Sequence, residues 1–157
     1  MEKKCLIILP AGDPEGYAKR HFNRVYQYVV VPACRFAGFS PARIDDPTIE
    51  TSRDIINTMI ESSIVICDLS ANSSAALYGF ALRQAMNLPV VLIKDSKTNT
   101  VANIPEFEVL TYDDSLRIDT VQNEVDALSE TLKNAFTNKG EPNQLLARLN
   151  VGTNQST

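Results

Sequence analysis

Ile64-Val65-Ile66-Cys67-Asp68-Leu69-Ser70 decides the fold. Its first four residues are apolar and mostly β-branched. The run then stops at an aspartate and a serine, the pattern of a short strand covered on both faces, as in parallel sheets. On either side the same grammar repeats. Lys4 to Leu9 is a mostly apolar run ended by Pro10-Ala11-Gly12-Asp13-Pro14, and Pro89 to Ile93 is another. Phe39 to Asp45 forms a strand that Pro41 restricts to a sheet edge or a bulge, and Glu108 to Tyr112 is a weaker fifth.

Helical periodicity fills the intervals. Phe22, Val25, Tyr26, Val29, Ala33, Phe36 and Ala37 recur at helical spacing before Gly38, with a bend expected at Pro32. Thr51-Ser52-Arg53-Asp54 has the form of a capping box ahead of Ile55, Ile56, Met59 and Ile60. Ser73 or Ser74 caps a third helix, whose core stripe is read as Leu77, Phe80, Ala81 and Ala85 or Leu88. Val121, Val125, Leu128, Leu132, Ala135 and Phe136 mark the last one. Strands alternating with helices predict an α/β fold: a doubly wound, five-stranded parallel sheet in the flavodoxin-like order 2-1-3-4-5. The domain is expected to span residues 1–138. Residues 139–157 are expected to form a tail with a short helical segment, partly disordered.

Composition narrows the function classes. Hydrophobic residues at 44% and charged residues at 22% suit one packed globular domain. The apolar runs are too short for a membrane span, and no signal peptide is evident, so a cytoplasmic protein without membrane partners is expected. A net charge of −4, with no cluster of Lys and Arg on a predicted face, argues against long nucleic acids as partners. Three cysteines at irregular intervals suggest buried thiols rather than a disulfide framework or a metal site.

In the predicted order, strands one and three are neighbours, and a crevice opens beyond their carboxyl ends. Pro10, Gly12 and Asp13 face it from the first loop, and Asp68, Ser70, Ser73 and Ser74 from the third. Asp68 can accept hydrogen bonds from a ribose or a base; equally, it can cap its own loop. The serines can present a helix start to an anion or merely cap the helix. Asp13, Glu15, Asp45, Asp46, Glu50 and Asp95 are further carboxylates within possible reach. His21, beside Lys19 and Arg20, reads as a solvated residue.

Four stretches together resemble the nucleoside 2-deoxyribosyltransferase-like proteins, including the TIR-like branch found among bacterial defence effectors. They are Leu6 to Pro10; Val25-Tyr26 through Pro32-Ala33 to Phe39; Asp54 to Ile60; and Val65 to Ser70 with Tyr78 and Pro89-Val90. The resemblance implies a nucleoside or nucleotide as small-molecule partner, no separate cofactor, a homo-oligomer, and N-glycosidic chemistry in active members. The family's catalytic glutamate follows the tyrosine of the third helix, and here that position is Gly79. The usual Asn-Pro-Asn is replaced by Ser73-Ser74-Ala75. The expectation is therefore a catalytically impaired binding module, a sensor, sequestering or regulatory pseudoenzyme, with Asp45, Tyr78 and Gly79 completing the ligand site and the catalytic residues unassigned. An active hydrolase or transferase using a displaced carboxylate, and a structural oligomerisation domain, are the alternatives.

Overall fold

The structure, a computed structural model, describes residues 2–44, 52–99, 104 and 108–143. Five parallel strands, β1 (Lys4–Ile8), β2 (Ser40–Arg43), β3 (Ile64–Asp68), β4 (Val90–Asp95) and β5 (Val109–Tyr112), form one sheet in the order β2-β1-β3-β4-β5. This is the doubly wound arrangement that the alternating pattern predicts. β3 is central, and all five of its residues are buried, which is why it reads as an unbroken apolar run.

Side-chain alternation divides the core in two. Cys5, Ile7, Ile64, Ile66, Val91 and Ile93 face one layer of helices, formed by α1 (His21–Val25), α2 (Val31–Phe36) and α5 (Ile118–Thr137). Leu6, Ile8, Val65, Cys67 and Leu92 face the other, which contains α3 (Ser52–Glu61) and α4 (Ser74–Ala85). One register, Ile7 beside Ile66 and Ile8 beside Cys67, serves both layers.

α1 and α2 are one continuous helix joined by a π turn over Tyr26–Val30. Val31 N–H reaches back five residues to the Tyr26 carbonyl. Pro32, next in line, has no N–H to give and would crowd the Tyr28 carbonyl in a regular α-helix; the wider turn accommodates it. Pro41 sits on an edge strand, as its missing donor requires. Ser40 and Ile44 donate to the Lys3 and Ile7 carbonyls, so the intervening Pro41 nitrogen faces away from the sheet.

One sequence expectation about the fold needs correction. The buried face of α4 is Ala76, Gly79 and Arg83 with Phe80 partly buried, not the Leu77, Ala81 and Ala85 stripe, whose members are exposed. The hydrophobic pattern misleads here because the inward positions hold a glycine and an arginine. Past residue 138, Asn143 N–H donates to Asn87 Oδ1 at 3.0 Å, and its amide donates to the Gln84 carbonyl at 2.8 Å. Thr51 of the capping box, Asp45, Asp46 and Glu50, and the tail from residue 144 lie outside the described residues. Among the described residues no helix is long and apolar enough to cross a membrane.

Candidate functional site

β1 and β3 are paired, so the loops that follow them leave from adjacent positions on the carboxyl rim of the sheet. Beneath that rim lies a continuous polar layer. Tyr112 Oη donates to Asp68 Oδ2 at 2.6 Å, and Ser70 N–H donates to Asp68 Oδ1 at 2.9 Å. Ser70 Oγ accepts from Asp95 N–H at 2.8 Å. Tyr17 Oη donates to Asp95 Oδ2 at 2.8 Å, and the Thr98 hydroxyl and N–H both donate to Asp95 Oδ1, at 2.6 and 2.8 Å. The layer thus ties the first loop to the end of β4 through Tyr17, and β5 to β3 through Tyr112.

Asp68, Ser70 and Asp95 have no exposed surface. A ligand cannot touch Asp68 without displacing Tyr112, so Asp68 closes its own loop instead of lining an open hollow. Burial pushes its carboxyl up to about 6, against the lowering effect of its bonds to Ser70 and Tyr112. Burial likewise raises Tyr112 and lifts Tyr17 to about 12, so both phenols stay protonated donors.

The raised carboxyl has a sign that can be measured. Asp68 binds its proton more tightly folded than unfolded, so its contribution to stability is fully present below about pH 4 and is lost as pH rises through about 6. A shift from 3.8 to about 6 corresponds to about 3 kcal/mol. Denaturant unfolding of the wild type and Asp68→Asn across pH 3–8 should show the wild type losing about 3 kcal/mol relative to the variant. A pH-independent difference would mean that Asp68 does not titrate in this window.

The remaining expected site residues scatter. Pro10 is buried. Gly12 is exposed with φ +61, and a Cβ there would meet nothing within 4 Å. Asp13 Oδ1 accepts from Arg20 N–H at 2.8 Å, bracing the start of α1. Ser73 caps α4 by accepting from Ala76 N–H at 3.3 Å. Ser74 is exposed, and the N–H groups of Ser74 and Ala75, in the first turn, have no intrahelical acceptor. Tyr78 is 51% exposed on the outer side of α4. Gly79 faces the core, where an added Cβ would collide with Ile8 Cδ1 and lie 3.6 Å from both Cys67 Sγ and Met59 Cε. A glutamate there would point into packed side chains rather than into the crevice.

His21 is also corrected: it is buried, its ring tilted against Tyr17 at 5.2 Å and edge-on to Phe22 at 4.8 Å, and burial lowers its pKa. Tyr17, Thr98 and Tyr112 escaped the sequence reading as site residues. Tyr17 and Tyr112 bond to carboxylates 78 and 44 residues away, and an isolated tyrosine carries no motif; Thr98 bonds to Asp95 only three residues back, in a local turn that no motif marks. The three cysteines are buried free thiols. Among the described residues no group of three or more His, Cys, Asp or Glu is arranged to hold a metal ion.

No family model and no curated protein matches the sequence. Solved structures do match in fold. A lysine decarboxylase of Francisella novicida superposes with a TM-score of 0.52 at 14% identity. The constitutive lysine decarboxylase of E. coli superposes with a TM-score of 0.52 at 10% identity. Each match covers 87% of this chain but only 18% of the decarboxylase, so the chain spans less than a fifth of those proteins. At such identities the likeness speaks for the fold alone.

Proposed function

We propose that this domain is a cytoplasmic nucleoside- or nucleotide-binding module without glycosidic chemistry, as the resemblance to nucleoside 2-deoxyribosyltransferase-like proteins implies. The observation that carries the reading is the pairing of β1 with β3, which brings the Pro10–Gly12 and Asp68–Ser74 loops to one rim at the point where the strand order reverses. The ligand would rest above the polar layer, against the open Gly12 backbone and the first-turn N–H groups of Ser74 and Ala75, a placement suited to sugar hydroxyls or an anion. The non-catalytic half is supported by two features of the rim: glycosidic cleavage needs an accessible carboxylate as nucleophile or electrostatic partner, whereas Asp68 and Asp95 are sealed and Gly79 is packed against Ile8. The exposed Asp13 and Glu15 are the described carboxylates through which the alternative, an active hydrolase or transferase, would have to work.

A panel of nucleosides, nucleotides and NAD tests both halves. Saturation at about 100 times Kd should stabilise the native state by about 2.7 kcal/mol, raising Tm by roughly 5–10 °C for a chain of this size. Chromatography should find no free base above background. Gly12→Leu, at a cost of about 1–2 kcal/mol for its left-handed backbone, should abolish the thermal shift. Base release by the wild type would overturn the non-catalytic half, and no shift with any compound would overturn the binding half.

One surface favours a second reading, self-association. α4 carries a single charged side chain, Arg83, which is buried, while Leu77, Tyr78, Ala81, Ala85 and Met86 are exposed. A charge-free helix face of this kind suits a two-fold contact with a second copy. Light scattering of the wild type and Leu77→Glu distinguishes a dimer from a monomer.

A further inference from the structure

A cavity of about 140 Å³ lies between α5 and the last two strands, in the layer that also holds α1 and α2. Val29, Ile93, Leu110, Tyr112 and Leu128 give it an apolar wall, and of these only Leu110 is less than fully buried. The gap has a cause in the sequence. Glu124, Ala127 and Leu128 stand at i, i+3 and i+4 on the flank of α5 that overlooks β5. The middle position presents a methyl group alone, and β5 ends the sheet, so no further strand closes that side. Ile104, from the connection between β4 and β5, packs in the opposite layer and does not cover the cavity.

One polar atom breaks the apolar lining. Glu124 Oε1 accepts from Asp113 N–H at 2.6 Å, whereas Glu124 Oε2 is buried and has no hydrogen-bond partner among the described residues. Burial raises the Glu124 pKa against the effect of the Asp113 N–H bond, and the Asp113 carboxylate raises it further. No lysine or arginine among the described residues pairs with Glu124. Buried polar atoms are nearly always satisfied, and a desolvated carboxylate without a cation is among the costlier exceptions. Oε2 therefore offers its lone pairs to a donor that enters the cavity.

Size and charge together define that donor. A cavity on the order of 150 Å³ holds one benzene-sized ring, so an apolar ring matches the wall. An anion would be repelled by Glu124 and Asp113, and a neutral ring would leave the carboxylate uncompensated. We propose that this cavity binds a small arylalkyl amine, its ring against Tyr112 and Leu128 and its ammonium donating to Glu124 Oε2. The site shares the Tyr112 ring with the polar layer but uses neither the Gly12 loop nor the Ser74 helix start, so it does not rest on the nucleoside-binding reading.

Two-dimensional NMR titration of the full chain with benzylamine, benzyl alcohol and benzoate tests the assignment. Benzylamine should shift the amide signals of Leu110, Tyr112, Glu124 and Ala127 to saturation. Benzyl alcohol, of the same shape but uncharged, should bind about tenfold or more weakly, the worth of a charged hydrogen bond, and benzoate should not bind. Glu124→Gln should remove the advantage of the amine while leaving benzyl alcohol unchanged. Glu130→Gln, at an exposed carboxylate of the same helix, should alter neither. Ala127→Leu, which fills the gap, should abolish binding of both with a cooperative melting curve retained. No saturable shift with benzylamine, shifts confined to other residues, or equal affinity for benzyl alcohol would each overturn the proposal. So would undiminished benzylamine binding by Glu124→Gln or by a folded Ala127→Leu.

Discussion

Arg83→Met should lower the unfolding free energy by about 3–5 kcal/mol, the range for removing a buried charge from its partners, and depress Tm by roughly 10–15 °C. Arg83 is fully buried, and its guanidinium serves only carbonyls. Nη1 donates to Met59 at 3.0 Å, Ile60 at 3.3 Å and Ser62 at 2.8 Å; Nη2 donates to Ser63 at 3.3 Å and Pro89 at 2.7 Å; and Nε also reaches Pro89 at 3.2 Å. Met59 and Ile60 belong to the last turn of α3, whose terminal carbonyls have no intrahelical donor and carry the negative end of the helix dipole. The arginine of α4 therefore caps α3 from outside and ties together the turns entering β3 and β4.

Burial lowers the Arg83 pKa to about 10, so it stays charged at neutral pH. Methionine fills much of the volume but leaves five carbonyls without that donor, each at a cost of about 1–3 kcal/mol before water or relaxation recovers part of it. Arg83→Lys keeps the charge but not the planar fork and should fall between the wild type and Arg83→Met. Chemical denaturation measures all three, and a loss below 1 kcal/mol for Arg83→Met would refute the clamp.

Gly79→Glu should not create an enzyme; it should unfold the domain or cost more than about 4 kcal/mol, because it combines overpacking with a buried, unpaired carboxylate. The collision partner is Ile8 Cδ1, the end of a side chain that is 1% exposed and has little room to turn. Gly79→Ala balances a helix-propensity gain of about 1 kcal/mol against an overpacking cost of about 1–3 kcal/mol, so a net loss of up to 2 kcal/mol is expected. Valine at position 8 lacks the colliding methyl. Ile8→Val alone should cost about 0.5–1.5 kcal/mol, and the double variant should be more stable than the sum of the two single losses by at least 1 kcal/mol. Strict additivity would show that the contact does not limit position 79.

These two positions explain where pattern reading works in this chain and where it fails. Ile64–Cys67 could be read as a buried central strand because every residue is apolar and the run is too short for a helix. Ser73 could be read as a cap because capping is local chemistry. The inward face of α4 could not be read in the same way: Gly79 contributes no hydrophobic signal, and Arg83 looks like a surface residue until the carbonyls of α3 are placed around it. His21 misleads for the same reason, since its neighbours Lys19 and Arg20 suggest solvent while Tyr17 and Phe22 enclose the ring.

The order of apolar runs and helical stripes was enough to specify the layers, the parallel sheet and the pairing of β1 with β3, because those follow from local periodicity and from the handedness of crossovers. The state of the rim was not legible there. Asp68 lies 44 residues from the Tyr112 that covers it, Tyr17 lies 78 from Asp95, and Arg83 lies 24 from the Met59 carbonyl it caps. Whether a carboxylate is sealed or open, and whether an arginine faces solvent or clamps a neighbouring helix, depends on distances that exist only once the chain has folded.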